Sequence, residues 1–157
     1  MAQTIYFGNR TIATNGNLGI GTNAANSFNL QVVGTIGTTG DITAYYSDDR
    51  LKTRTGEITD ALAKVKTLEG FLYTPNALAN SFGFENGSHV GISAQAVRRV
   101  LPEATKLAPF DTDVHDGVKV SKTGENYLTV QYDKLVPLLI EALKELEQRV
   151  ARLEEGR

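Results

Sequence analysis

The sequence predicts an α+β chain with a β-rich N-terminal segment, a small mixed α/β region and a long C-terminal helix. The first observation behind this prediction is charge: residues 1–46 contain only Arg10 and Asp41 as charged side chains, and all other charges follow. The second is that apolar residues in the later part recur at helical and strand-like spacings. The third is a heptad pattern at the C-terminus. The charge boundary predicts two regions, 1–46 and 47–157.

The N-terminal region has short β-prone stretches at 4–7, 29–33 and 41–46, separated by turns rich in Gly, Asn and Thr. About 45 residues with so few large apolar side chains cannot readily form a stable core alone. Either this region is disordered or its strands pair with other chains. Ile, Val, Phe and Tyr recur at strand-like spacing, which favours interchain pairing.

The second region alternates helical and strand patterns. From its periodicity and its Gly and Pro positions we predict a helix at 59–68, a strand at 71–74, a loop or hairpin tip at 75–88, a strand at 89–93, a helix at 94–101, a loop at 109–125 and a strand at 127–132.

The last helix, predicted for 134–155, carries the 3-4-3-4-3 apolar spacing of a coiled-coil seam. The seam residues are Val136, Leu139, Leu143, Leu146, Val150 and Leu153. Asp133 is expected to cap this helix. Arg149 and Glu154 fall at g and e positions, where they can meet across parallel helices. So short a seam also fits a helix folded back on its own domain, and the residue types do not give the number of chains.

Composition excludes several classes of function. The net charge is -2 and the chain has no cysteine, so we expect no nucleic-acid partner, no disulfide and no thiolate metal site. No apolar run reaches about eighteen residues, so membrane insertion is not expected. We expect further chain upstream of Met1, and no cofactor or metal.

Two patterns resemble ligand sites and are rejected. Residues 19–24 match a dinucleotide-binding glycine pattern, but a β-prone stretch follows where a helix is required. Residues 111–117 resemble the start of a calcium loop, but His115 and Lys122 stand where oxygen ligands are needed. His115 and His89 lack the context of a zinc or triad motif, so both are expected to be structural or surface groups.

Ser47 and Lys52 place a hydroxyl nucleophile and an amine base five residues apart at the charge boundary. Serine needs a base to attack a carbonyl, and a neutral lysine can serve. Lysines ordinarily carry a proton at neutral pH, so burial on assembly or a nearby cation such as Arg50 would have to favour the neutral amine. Because such pairs are common, the spacing alone does not separate a catalytic dyad from an exposed turn.

Three motifs in order carry a family resemblance. They are Ser47-Asp48-Asp49-Arg50-Leu51-Lys52, then Gly91-Ile92-Ser93-Ala94-Gln95 leading to Val100-Leu101-Pro102-Glu103, and the run from Tyr132 to Ala142. From residue 47 to about 153 the sequence resembles the C-terminal intramolecular chaperone, an autoproteolytic Ser-Lys peptidase domain, of phage endosialidases, tailspikes, tail fibres and neck appendages. It is also similar to the autoprocessing domain of myelin regulatory factors. Residues 17–40 resemble the shaft segments that often precede such domains.

The resemblance implies an intertwined parallel homotrimer, with 1–46 as a shaft segment of interchain β structure and 47–157 as the chaperone, including a trimeric coiled coil at 134–155. It implies single-turnover cis cleavage between Tyr46 and Ser47, with Ser47 as nucleophile, Lys52 as general base and no substrate in trans. The residues it implies as supporting motif are Asp48, Asp49, Arg50, Leu51 and Gln95.

The partners implied are other copies of this chain, the upstream fibre or spike domains and, through those domains, a host surface receptor. The expected location is the virion tail, after assembly in the host cytoplasm, with the cleaved chaperone absent from the mature virion. Two alternatives stay open. One is a non-cleaving trimerisation or receptor-binding tip using the loops 75–88 and 109–125, and the other is a hydrolase acting in trans.

Overall fold

A computed structural model describes residues 3–7, 10–14, 17–21, 28–43 and 46–156, the first two ranges as backbone only. Its strands and α-helices are, in chain order, β1 (Gln3–Phe7), β2 (Arg10–Thr14), β3 (Leu18–Ile20), β4 (Leu30–Val32), α1 (Ala61–Lys66), β5 (Gly70–Tyr73), α2 (Ala77–Ser81), β6 (His89–Ile92), α3 (Ala94–Val100), β7 (Thr105–Leu107), β8 (Thr112–His115), β9 (Val118–Ser121), β10 (Leu128–Val130) and α4 (Leu135–Glu155). The chain divides into two compact units.

The first unit consists of Met1–Thr55 and Thr112–Lys122. In it, β1 and β2 pair antiparallel, while β3 and β4 pair in parallel. Gly21 ends β3 with a φ of +72°, and a Cβ there would lie 3.0 Å from the Val33 carbonyl oxygen, so this position requires glycine. The third sheet of the unit is the antiparallel hairpin β8–β9.

The β8–β9 hairpin turns on Asp116 and Gly117, whose φ angles are 51° and 77°. A two-residue hairpin turn with positive φ at both positions favours Asp-Gly, because its twist matches that of the strands. This turn sets the register in which His115 faces Val118.

The second unit consists of Gly56–Asp111 and Thr123–Arg157. Its core forms where α1 packs on α4, around the buried side chains of Ala61, Leu138 and Ala142. Partly buried side chains surround these three residues: Ile58, Leu62, Val65, Leu68 and Leu101.

Side-chain caps start the two middle helices of this unit. The Asn76 Oδ1 accepts a hydrogen bond from the Ala79 N–H at the start of α2, which lies between the paired strands β5 and β6. The Ser93 Oγ accepts from the Ala96 N–H at the start of α3. Such caps satisfy backbone donors that the first helical turn leaves free.

The antiparallel pair β7–β10 ends near a cluster of four rings, Phe82, Phe84, Phe110 and Tyr127, whose neighbouring centroids lie 4.9 to 5.6 Å apart. Asp111 follows Phe110 and is fully buried. Its carboxylate accepts hydrogen bonds from the Thr123 N–H and Oγ1 and from the Tyr127 N–H. These bonds join the two chain segments that flank the hairpin β8–β9.

The mixed α/β fold with a long C-terminal helix is confirmed, and several local predictions are wrong. No strand occupies the described part of 41–46, namely 41–43 and 46. The loop or hairpin tip predicted at 75–88 does connect the paired strands β5 and β6, but it also contains α2. The predicted loop at 109–125 contains the hairpin β8–β9. Asp133 does not cap α4: it lies in a 3-10 turn, and α4 begins after Lys134 with no side-chain cap. In the described chain, no helix is long and apolar enough to cross a bilayer.

Candidate active site

A single 3-10 turn, Asp49–Leu51, positions the residues of the first motif. Asp48 caps it, since its Oδ1 accepts a hydrogen bond from the Arg50 N–H at 2.9 Å. The Leu51 N–H donates to the Asp48 carbonyl, and the Lys52 N–H donates to the Asp49 carbonyl. This tight turn folds the chain back so that the side chain of Lys52 reaches Ser47.

The structure brings the predicted nucleophile and base together. The Lys52 Nζ lies 3.0 Å from the Ser47 Oγ and 3.0 Å from the Ser47 carbonyl oxygen. A general base must lie about 2.6–3.2 Å from the atom that loses its proton, and this separation meets that requirement. The catalytic roles of the two residues stay predictions.

The other charged groups of the motif neutralise each other. The Arg50 guanidinium donates to both carboxylate oxygens of Asp48, the shorter distance being 2.6 Å. These side-chain hydrogen bonds are the main cause that lowers the pKa of Asp48 from its ordinary value, and the hydrogen bond from the Arg50 N–H is the second cause. The same side-chain bonds raise the pKa of Arg50. Because Asp48 engages it, Arg50 is not a free cation beside Lys52. Arg54 donates one hydrogen bond, at 3.3 Å, to the Asp49 Oδ2.

Solvent surrounds the pair in the single chain. Ser47, Leu51 and Lys52 are exposed, and 67% of Tyr46, the residue before the predicted scissile bond, is exposed. Water favours the protonated form of an amine, and burial favours the neutral form. In the single chain, the predicted nucleophile and base are therefore in contact, but they lack the burial that would favour the neutral lysine amine.

Gln95, the remaining residue of the supporting motif, belongs to the second unit. It lies in the first turn of α3, where its Oε1 accepts a hydrogen bond from the Ser93 Oγ at 3.3 Å. It also lines an open depression of about 320 Å³ with Tyr73, Ser93 and Tyr132. Gln95 therefore lies beside Ser93, the residue that caps α3.

The predicted coiled-coil seam is exposed on α4. Its six residues, Val136, Leu139, Leu143, Leu146, Val150 and Leu153, are between 45% and 72% exposed. Another face of the same helix, at Leu138 and Ala142, is buried in the second unit. One face of α4 therefore folds onto its own domain, the predicted seam is exposed in the single chain, and pairing of that seam with other chains stays a prediction.

The two rejected ligand patterns have structural roles. In the glycine pattern, Gly19 and Ile20 lie in β3 and Gly21 ends it, while residues 22–24 fall outside the described residues. In the acidic pattern, Asp111 binds Thr123 and Tyr127, and the residues after it form β8. No group of three or more metal-binding side chains occurs within the part of the chain that the structure describes.

Sequence reasoning missed the hairpin β8–β9 and its contact with the upstream region. The Nζ of Lys119, on β9, lies 4.4 Å from the centroid of the Phe28 ring. The Asp116-Gly117 dipeptide is a sequence signal for this hairpin, but it falls within the loop predicted at 109–125. No local pattern pairs Lys119 with Phe28, because their contact depends on the tertiary fold.

Comparison with known proteins shows what this chain is similar to. Residues 47–106 match the family Peptidase_S74, described as "Chaperone of endosialidase". Over 108 residues, 69% of this chain, the sequence is 36% identical to the long tail fiber protein Gp37 of Enterobacteria phage K3 and 36% identical to its counterpart in Enterobacteria phage T2. These alignments cover 8% and 7% of the two relatives, so the chain spans less than a tenth of their length.

The family match begins at Ser47, the first residue of the exposed pair that is predicted to be nucleophile and base. It also includes the second motif, from Gly91 to Glu103. The resemblance on which the sequence interpretation rested is therefore confirmed: residues 47–106 match the chaperone of endosialidase family.

Proposed function

We propose that residues 47–157 are an intramolecular chaperone that trimerises a phage tail fibre or tailspike, and that 1–46 are the end of its shaft. The family description and the two tail fibre relatives support the chaperone role. The open seam on α4 supports assembly, because six apolar side chains in heptad spacing are left without cover by the single chain.

We further propose that the chaperone cuts its own chain between Tyr46 and Ser47. The observation that carries this step is the 3.0 Å separation of the Lys52 Nζ from the Ser47 Oγ, at the residue where the family match begins. The hydroxyl belongs to the residue that follows the scissile bond, so covalent attachment replaces much of the binding energy that a separate substrate would need.

The reaction has two halves. Neutral Lys52 Nζ takes the proton of Ser47 Oγ while that oxygen attacks the carbonyl carbon of Tyr46. The carbon–nitrogen bond between the two residues breaks, the proton on Lys52 passes to the Ser47 nitrogen, and an ester joins the Tyr46 acyl group to Ser47 Oγ. Water then hydrolyses the ester, giving a Tyr46 carboxylate and a Ser47 with a free amine and hydroxyl.

Assembly is the proposed trigger. Ser47 and Lys52 are both exposed in one chain, and a neighbouring chain that covered them would exclude water and favour the neutral amine. Cleavage would then follow correct trimerisation. Loss of the chaperone would make unfolding of the shaft hard to reverse, so the product would be kinetically stable.

Intact-mass spectrometry of purified variants, combined with native mass measurement, tests the proposal. The unchanged chain should yield two fragments that meet between Tyr46 and Ser47. Ser47→Ala should stay at the full mass of 17.0 kDa and still form trimers. Lys52→Gln should slow cleavage at least about a hundredfold, as expected for loss of a general base. Ser88→Ala, which changes another exposed serine, should cleave normally.

Two results would change the assignment. Normal cleavage of the Ser47→Ala chain would remove Ser47 as nucleophile. An unchanged chain that forms trimers but stays at full length would favour the non-cleaving trimerisation or receptor-binding tip. Virions that contain only the upstream fragment would support release of the chaperone from the mature particle.

A further inference from the structure

The proposed cleavage bond lies inside one of the two compact units. That unit contains Met1–Thr55 together with Thr112–Lys122. A cut after Tyr46 leaves residues 1–46 on one product, and leaves residues 47–55 and the hairpin β8–β9 on the other. Breaking one peptide bond does not remove the noncovalent contacts of a packed unit, so cleavage and separation are two different events.

The hairpin β8–β9 touches the upstream segment at a defined place. The Lys119 Nζ lies 4.4 Å from the centroid of the Phe28 ring, within the distance of about 6 Å at which a cation is attracted to the face of an aromatic ring. Phe28 is half-buried and stands two residues before β4. The contact therefore joins the proposed chaperone to the proposed shaft segment.

Bonds that do not involve residues 1–46 hold the hairpin in shape. At its tip, Asp116 and Gly117 form the tight turn. At its base, the buried Asp111 carboxylate accepts hydrogen bonds from the Thr123 N–H and Oγ1, each at 2.8 Å. All of these residues lie downstream of the proposed cut. The hairpin is therefore equally formed before and after cleavage.

We propose that this hairpin helps to retain the upstream product after cleavage, and that Lys119 on Phe28 is one of the contacts by which it does so. Opening of that contact is then a second step that controls release of the chaperone domain. This inference rests on the proposed self-cleavage, and it changes what that reaction does: the cut permits release, while the hairpin sets its rate. The partner of the hairpin is the segment around Phe28 of this same protein.

Native mass spectrometry of the cleaved protein tests retention. Under native conditions the unchanged chain should give a complex that contains both products, although denaturing conditions show two separate masses. Loss of one exposed cation–π contact corresponds to about a two- to fivefold change in an equilibrium, so Lys119→Ala and Phe28→Leu should each release the upstream product about that much faster. Lys119→Arg keeps the cation and should retain the product as the unchanged chain does.

The control is Lys122→Ala, which removes an exposed lysine just beyond β9 and should leave retention unchanged. Products that separate as soon as the unchanged chain is cut would overturn the proposal. So would equal release rates for the unchanged chain and Lys119→Ala.

Cutting the chain with an added protease tests retention even if the chain does not cleave itself. A recognition sequence for a site-specific protease is inserted after Tyr46 in the Ser47→Ala chain, and the added protease makes the cut. Retention that depends on Lys119 in this chain supports the hairpin contact whether or not the natural chain cleaves itself. Immediate separation there refutes the contact independently of the Ser47 chemistry.

Discussion

Two faces of α4 contrast most sharply in this molecule. Leu138 and Ala142 are 0% and 5% exposed against α1, whereas Leu143 and Leu153 on the seam are 67% and 72% exposed. An apolar stripe normally faces the core of its own domain, and this helix carries a second stripe that its own chain leaves open. Folding of the second unit and association of chains should therefore respond to different substitutions.

The largest effect is expected on the core face. Leu138→Ala should lower the free energy of unfolding by about 2–5 kcal/mol, because it leaves a cavity where a fully buried leucine fills the space against α1. Urea unfolding followed by circular dichroism measures it. Gln148→Ala, at an exposed position of the same helix, should stay within about 0.5 kcal/mol of the unchanged chain. If both variants lowered the free energy of unfolding equally, Leu138 would not lie on a buried core face of α4 that is distinct from its exposed surface.

The next effect is expected on the seam. Changing Leu143 and Leu146 together to Asp places charges where a coiled coil needs apolar side chains. Analytical ultracentrifugation should then show monomers in place of trimers, while helical circular dichroism of the second unit is largely kept, since both residues are exposed. A trimer that survived this double substitution would exclude the seam as the assembly surface.

The comparison of faces also shows what sequence can predict. The heptad spacing predicted α4 and the residues of its apolar seam, because that pattern is local and repeats along one helix. It did not identify Leu138 and Ala142 as core, since their burial depends on α1, more than sixty residues earlier in the chain. The helices α1 and α3 were predicted for the same reason as α4, from periodicity and from Gly or Pro near their ends.

Short elements with distant partners were harder to predict. The strand β7 has three residues and pairs with β10 across the intervening hairpin, so no local alternation marks it. The candidate site behaved differently: one turn brings Ser47 to Lys52, and such a contact depends only on nearby residues. Its catalytic interpretation came from the family motifs, because spacing alone does not tell a reactive pair from an exposed turn.

The smallest effect concerns Glu145, which links α4 to α1. Asp60 precedes α1 with a left-handed φ of 54° and makes no side-chain cap. The Glu145 carboxylate takes over that role, accepting hydrogen bonds from the Leu62 N–H at 2.9 Å and the Ala61 N–H at 2.7 Å. These two bonds, that of Leu62 first, lower the pKa of Glu145 from its ordinary value of 4.5.

A carboxyl group whose pKa is lower in the folded state than in the unfolded state stabilises the fold when the pH is above the unfolded-state pKa. This stabilisation is lost as the pH falls through the folded-state pKa. Thermal unfolding between neutral pH and about pH 3 should therefore show an acid-dependent loss of stability that is smaller in Glu145→Gln. Glu147→Gln, at an exposed neighbouring position, should keep the full acid dependence. The Glu145 variant should also stay trimeric at neutral pH, because its bonds lie within one chain and the seam is unchanged. A loss of trimers in that variant would mean that the two faces of α4 are coupled.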